Sequence, residues 1–334
     1  MELDTVDRRL LNLLQTDFPL SGEPFAVLGN MLDVSSDEVI QRVENLKDEG
    51  IIRWISGVFD SSRLGYESTL VAMHISDRLL DEAAGAISEH QGVSHNYARD
   101  HYYNLWFTLT LAKDKSLPKT IANLAELAGA EATMSLPAVR VFKRLVYFDM
   151  VGTDKSGNNL YHTGESNSLL INKEDKRLSK LDREAIKELQ KDLPLGQRPF
   201  DEMASHLSIG TEELLNLAKS LRDCGIMRRY GALLNHQKAG FLSNAMSCWS
   251  VPLDMLEQSG NKMASCQAVS HCYQRQTNAD WPYNLFAMIH SRSKDECEAI
   301  AKQISHDTKV SNYALLYTVK EYKKEKVRYF TELN

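Results

Sequence analysis

The chain has 334 residues, enough for two or more domains, and its 43% hydrophobic and 25% charged residues are those of a globular protein with a real core. Its net charge of −6 argues against a dedicated nucleic-acid binder, which carries a basic footprint. No apolar run approaches the ~20 residues that span a bilayer, the opening Met1-Glu2-Leu3-Asp4 has no basic, apolar leader, and Cys224, Cys248, Cys266, Cys272 and Cys297 form no C-x-x-C pair that would point to zinc or an iron–sulfur cluster; a cytoplasmic protein with free thiols is expected.

Asp4 caps a first helix whose apolar face is Val6, Leu10, Leu13 and Leu14, and Phe18-Pro19 ends it. Pro24 opens a second, short helix running to Leu32. Ser35 or Ser36 caps a third, with Val39, Ile40, Val43 and Leu46 inward and Gly50 as its stop. Ile51 to Phe59 alternates as a strand pair, the wing of a winged helix-turn-helix. After Gly65 the pattern changes to strand (Ser68–Ile75), helix (Leu79–Ser88), hairpin (Val93–Arg99 and Asn104–Ala112), helix (Ser116–Ala128) and final strand (Ala138–Phe148). That βαββαβ order predicts a ferredoxin-like sandwich with both helices on one face of an antiparallel sheet.

The same module then recurs. Asp7, Gln15, Pro24, Phe25, Gly50, Ile51, Arg53 and Gly65 return as Asp182, Gln190, Pro199, Phe200, Gly225, Ile226, Arg228 and Gly240, at a constant offset of 175. Val93-Ser94-His95-x-Tyr97-x-Arg99 returns as Val269-Ser270-His271-x-Tyr273-x-Arg275, and Phe142-Lys143-Arg144 as Tyr322-Lys323-Lys324. A Gly-, Asn- and Ser-rich stretch lies between the copies and reads as a linker. The expected class is α+β: winged helix-turn-helix at 1–64 and 179–239, sandwich at 65–150 and 240–334, linker at 151–178.

In a strand, side chains alternate between faces. Leu105, Phe107, Leu109 and Leu111 should cover the helices, leaving Asn104, Trp106, Thr108 and Thr110 opposite, and His95, Tyr97 and Arg99 share one face of the neighbouring strand. Leu285, Ala287 and Ile289 repeat the pattern against Asn284, Phe286, Met288 and His290, with His271, Tyr273 and Arg275 alongside. Two sheets with such open faces are expected to pack as an intramolecular pseudo-dimer around a space walled by aromatics and cations. Taken singly, Trp106, Trp281 and Phe286 read as core rather than as ligand contacts. The first turns of the third helices, Ser35-Ser36-Asp37-Glu38 and Gly210-Thr211-Glu212-Glu213, are acidic and would repel DNA phosphates.

On these motifs each copy resembles the leucine-responsive/AsnC regulator superfamily, and within it the siroheme decarboxylases, in a form with both subunit types on one chain. The run Val93 to Thr108 and its counterpart, Val269 to Arg275 with Trp281 to Phe286, carry the resemblance, which covers nearly everything but the linker. It implies a lyase that removes two acetate carboxylates of siroheme as CO2, giving 12,18-didecarboxysiroheme for haem d1 or for haem by the alternative route. No cofactor is implied beyond the substrate's iron, which His95 or His271 would ligate. Arg99, Arg275, Lys143 and Lys323 would hold carboxylates, with Tyr97, Tyr273, Asn104, Asn284, Tyr283, Trp106 and Trp281 around the ring. His101, which becomes Thr277 in the second copy, and His95 are the expected proton donors, making the first copy the expected catalytic half. A ligand-sensing regulator and a tetrapyrrole carrier without chemistry are the competing readings, and association of the chain beyond the pseudo-dimer is left open.

Overall fold

The computed structural model describes residues 3–16, 18–144, 150–151, 177–235, 238 and 243–331. Most of the expected linker therefore lies outside the described residues.

Each copy begins with three helices: α1 (Thr5–Thr16), α2 (Pro24–Leu32) and α3 (Ser36–Asp48) in the first, α6 (Lys180–Leu189), α7 (Pro199–His206) and α8 (Thr211–Asp223) in the second. Their starts follow from the sequence. Asp4 accepts the Asp7 N–H at 2.7 Å, Ser35 accepts the Glu38 N–H at 3.1 Å, Ser179 and Asp182 form a reciprocal capping box, and α2 and α7 open on proline. Past the third helices, Gly50 and Gly225 take the left-handed φ of 67° and 74° that glycine tolerates best.

The wing is not a hairpin within one copy. Ile52–Phe59 (β1) is one continuous strand, and it pairs antiparallel with the equivalent strand of the other copy, Met227–Leu234 (β6). The ribbon lies so close to the ends of α1 and α6 that a Cβ on Gly231 would sit 2.5 Å from the Leu14 carbonyl oxygen, and one on Gly57 would sit 3.1 Å from that of Leu189. Both helical units consequently share one apolar core, with Leu10, Leu14, Phe25, Val43 and Ile55 packed together with Ile186, Leu189, Phe200, Leu215 and Tyr230. Lys47 meets Asp192 across this junction at 2.9 Å. At the start of α3, Asp37 accepts a hydrogen bond from Gln197 of the second unit, and Glu38 is paired with Arg42 at 2.8 Å.

The sandwiches follow the expected order. The first comprises β2 (Tyr66–His74), α4 (Leu80–Glu89), β3 (Val93–Arg99), β4 (Leu105–Ala112), α5 (Leu117–Ala128) and β5 (Ala132–Arg144). The second comprises β7 (Ser243–Trp249), α9 (Leu256–Ser265), β8 (Val269–Arg275), β9 (Leu285–Ser291), α10 (Lys294–Thr308) and β10 (Tyr313–Lys324). Strand β5 starts six residues earlier than the sequence pattern indicates because it serves both sheets. Its first half pairs with β2, ending at Thr69 opposite Pro137, and its second half pairs with β8, from Ala138 opposite Arg275 to Arg144 opposite His271. Strand β10 mirrors it, passing from β7 to β3. The exchange closes one barrel, β10-β3-β4-β2-β5-β8-β9-β7, and joins the sandwiches as an intramolecular pseudo-dimer.

The face assignments hold. Leu105, Phe107, Leu109 and Leu111 pack on α4 and α5, and Leu285, Ala287 and Ile289 pack on α9 and α10. Between the sheets, Trp106, Trp281, Phe286, Met134, Leu136, Met246, Cys248 and Leu316 fill one part of the interior.

Candidate active site

The recurring polar residues divide into two groups by what they hold, and the first group holds the scaffold. Arg99 Nη1 donates to the Leu316 carbonyl at 2.9 Å and to Thr318 Oγ1 at 3.3 Å. Arg275 Nη1 donates to the Leu136 carbonyl at 2.7 Å. These carbonyls stand where β10 and β5 leave one sheet for the other, so each arginine pins a crossing strand and faces the adjacent tyrosine, 5.5 Å above Tyr97 and 5.0 Å above Tyr273. Burial pushes both guanidinium pKa values down, Arg275 to about 10. Nη1 of each arginine therefore serves the scaffold, whereas Nε of each is buried with no hydrogen-bond partner among the described residues.

Four more of the expected binding residues also hold backbone groups. Asn104 accepts the Ile75 N–H at 3.0 Å and donates to the Ile75 carbonyl at 2.7 Å, and Asn284 does the same with Val251 at 2.9 and 2.7 Å. Lys143 donates to the Cys266 carbonyl at the end of α9, 2.9 Å away, and Lys323 to the Ser88 carbonyl in the last turn of α4, 2.7 Å away, the place where a cation complements a helix dipole. Trp106 is buried, donating to the Tyr103 carbonyl at 2.6 Å. Trp281 packs 5.4 Å from Trp106, with half-buried Tyr283 edge-on at 5.0 Å.

His101 joins this aromatic end. Its Nδ1 accepts the Tyr103 N–H at 3.1 Å, and its ring meets Trp281 edge-on at 5.4 Å. His95 is the third residue of β3, four residues or about 13 Å of strand before its end at Arg99, at ~3.3 Å per residue, and His101 lies beyond that end, on the turn to β4. The two histidines expected to share proton transfer therefore do not stand side by side on β3.

The second group gathers at the other end, where the barrel meets the β1–β6 ribbon. Register places Lys324 beside His95 and Arg144 beside His271. From the ribbon, Arg53 donates to the Lys324 carbonyl at 3.4 Å and pairs with Glu321 at 3.1 Å. Arg228 donates to the Arg144 carbonyl at 3.2 Å, and Arg144 pairs with Asp60 at 3.4 Å. Among the described residues, Glu321 and Asp60 are the carboxylates paired with Arg53 and Arg144 here. Tyr97 and Tyr273 stand two residues along from the histidines on the same face.

Each imidazole is held by the serine before it. Ser94 Oγ lies 2.9 Å from His95 Nδ1, and Ser270 Oγ lies 3.0 Å from His271 Nδ1 and 2.8 Å from His290 Nε2. Among the described residues nothing bonds the Nε2 atoms of His95 or His271. Burial, reinforced by Lys324 and Arg53, holds His95 neutral with its pKa near about 4. Burial, then Arg228, His95 and Arg144, drives His271 to about 3. Both rings lie deep in the protein yet keep part of their accessible surface. This end of the barrel gathers hydrogen-bonding cations, two tyrosines and two neutral imidazoles, the equipment for a flat, carboxylate-bearing metal complex.

Two family models match the chain twice each: an AsnC-like ligand binding domain over 63–143 and 238–323, and a siroheme decarboxylase NirDL-like HTH domain over 7–53 and 182–228. A siroheme decarboxylase of Hydrogenobacter thermophilus is 37% identical over 97% of this chain and 95% of its own. The chain belongs to the siroheme decarboxylase family. The NirDL subunit of Paracoccus pantotrophus is 32% identical over 91% of this chain and 90% of its own. The beta subunit of the Methanosarcina barkeri siroheme decarboxylase, 39% identical, spans 45% of this chain and 99% of itself, so one copy of the repeat corresponds to one subunit of that relative. A crystal structure of the siroheme decarboxylase NirDL superposes with a TM-score of 0.73 at 33% identity, covering 98% of this chain and 95% of that one; the same enzyme has been solved with an iron-uroporphyrin III analogue. No helix among the described residues of this family member is long and apolar enough to cross a membrane.

Of the residues expected at the site, the cationic end holds His95, His271, Tyr97 and Tyr273. Reading the sequence missed Arg53, Arg228, Arg144 and Lys324. All four belong to the repeat, and that recurrence was the available signal.

Proposed function

We propose that the chain is a carbon–carbon lyase that converts siroheme to 12,18-didecarboxysiroheme with release of two CO2, and that it does so at the cationic end of the barrel. The observation carrying this reading is the set Arg53, Arg144, Arg228 and Lys324 around two neutral histidines whose Nε2 atoms are unbonded among the described residues. Arginine forks bind carboxylates bidentately and would fix the acetate arms that are not reacting. At the reacting arm the bond between carboxylate carbon and methylene breaks, CO2 leaves, and the electron pair passes toward the macrocycle. One proton then completes the methyl group, so each CO2 consumes one H+.

Burial and neighbouring cations hold His95 and His271 neutral. A bound polyanion offsets those cations and raises the imidazole pKa values, so that one Nε2 delivers the proton while the other faces iron. No further cofactor enters, because the macrocycle takes up the charge and the iron arrives with the substrate. We place the reaction in the cytoplasm, supported by five cysteines that are all free. The test is anaerobic incubation with siroheme followed by mass spectrometry. Stepwise loss of two CO2 is expected, and binding without mass loss would overturn the enzyme reading in favour of a carrier.

A further inference from the structure

The two halves of the cationic end differ at one equivalent pair of positions on the sheet floor. In the second copy Val141 lies directly opposite Tyr273. In the first, Glu321 lies directly opposite Tyr97. Direct partners of an antiparallel pair project to the same face, so each side chain stands beside the tyrosine, on the face that carries the histidine.

Val141 leaves 43% of its surface exposed there, an apolar platform flanked by Arg144 and, through the Arg144 carbonyl, Arg228. The carboxylate in this half, Asp60, lies off the floor on the turn after β1. It is committed to the Ser62 N–H at 3.0 Å and the Ser62 hydroxyl as well as to Arg144. In the first copy the acid is on the floor itself. Glu321 occupies Arg53 at 3.1 Å and sets a negative charge beside Tyr97, and the residue opposite His95 is a lysine, Lys324, without a guanidinium fork.

A flat macrocycle gains by covering apolar surface and loses by covering a carboxylate, which it would strip of water and set against its own acid groups. We infer that a carboxylate-fringed tetrapyrrole lies on the floor of the second copy, over Val141 and Tyr273 between Arg144 and Arg228, and that Glu321 bars it from the equivalent floor of the first. This placement rests on the tetrapyrrole substrate proposed above, and it puts the ring on the second copy, whereas the sequence favours the first copy for catalysis.

The test is anaerobic titration of the full chain with siroheme, read by the visible spectrum, with mass spectrometry of the released ring. Val141→Glu is expected to weaken ring binding at least tenfold, Val141→Thr to stay near wild type, and Glu321→Val to bind at least as tightly as wild type. Thermal melts establish that each variant is folded. If V141E does not fold, Val141→Gln carries the comparison, with a several-fold loss expected and wild-type affinity contradicting the placement. V141E binding like wild type, or a tenfold loss in E321V, overturns the placement even if CO2 is released. Binding that responds to V141E without any mass loss overturns the decarboxylase reading alone.

Discussion

The two ends of the barrel use the same repeated strands for different work. At the aromatic end Arg99, Arg275, Asn104 and Asn284 each satisfy backbone groups at a strand crossing or loop, and Trp106 and Trp281 close the interior. At the ribbon end His95 and His271 stand among Arg53, Arg228, Arg144 and Lys324, with Glu321 and Asp60 paired to Arg53 and Arg144. Recurrence in both copies therefore does not separate scaffold from site. What separates them is what stands around them: backbone at a strand crossing or loop at one end, neutral imidazoles and cations at the other.

Variants at the two ends should consequently fail in different ways. The largest effect is expected at the proton donor. Replacing His271 or His95 with Gln should slow CO2 release by about 10²–10⁴, the usual worth of a positioned acid–base group, in whichever of the two delivers the proton; the other should change the visible spectrum of bound siroheme. Next, the double replacement of Arg144 and Arg228 with Ala should weaken siroheme binding by about 10²-fold or more, since charged hydrogen bonds contribute about 1.5–3 kcal/mol each. At the aromatic end, Arg99→Ala or Arg275→Ala should instead lower stability by about 1–3 kcal/mol, the cost of an unsatisfied buried carbonyl, measured by denaturant unfolding, with ring affinity little changed. If affinity collapsed while stability held, the division between the ends would be wrong.

A smaller effect concerns pH. In an unfolded chain His95 and His271 titrate near 6.5, whereas in the fold burial and cations hold them at about 4 and about 3. Between those limits the unfolded state binds more protons, so stability rises with pH there. Their contribution is complete above about pH 6.5 and is lost as the pH falls toward about 4 and then about 3. Unfolding titrations of the His95→Gln, His271→Gln double variant should show a shallower acid limb than wild type. The smallest effect is expected from His101→Ala, which removes one acceptor for the Tyr103 N–H and should change turnover by less than about threefold, well below the worth of a positioned acid–base group; a loss of 10²-fold would return the acid to the aromatic end.

Much of this was legible in the sequence. The caps at Asp4 and Ser35, the helix-covering face of Leu105 to Leu111 and the His-Tyr-Arg face of β3 and β8 follow from local periodicity, which needs no partner strand. The wing failed because β1 takes its partner from the other copy, a pairing that local alternation cannot reveal. The choice of Lys143 and Lys323 over Arg144 and Lys324 failed for a sharper reason. Register shifts lie between Val141 and Lys143 and between Glu321 and Lys323, and an irregularity of this kind reverses the inside–outside parity beyond it. The lysines turn to the helix ends and their neighbours to the histidines. Arg99 and Arg275 were read as free cations because the carbonyls they bind lie 217 and 139 residues away in the chain.

The central claim is that the ring sits at the cationic end of the barrel, and the iron of a bound ring reports its position directly. Crystals of the full chain grown anaerobically with siroheme, measured at the iron absorption edge, should place the anomalous peak within bonding reach of His95 or His271 Nε2. A peak beside His101 and Trp281, at the aromatic end, would contradict the account.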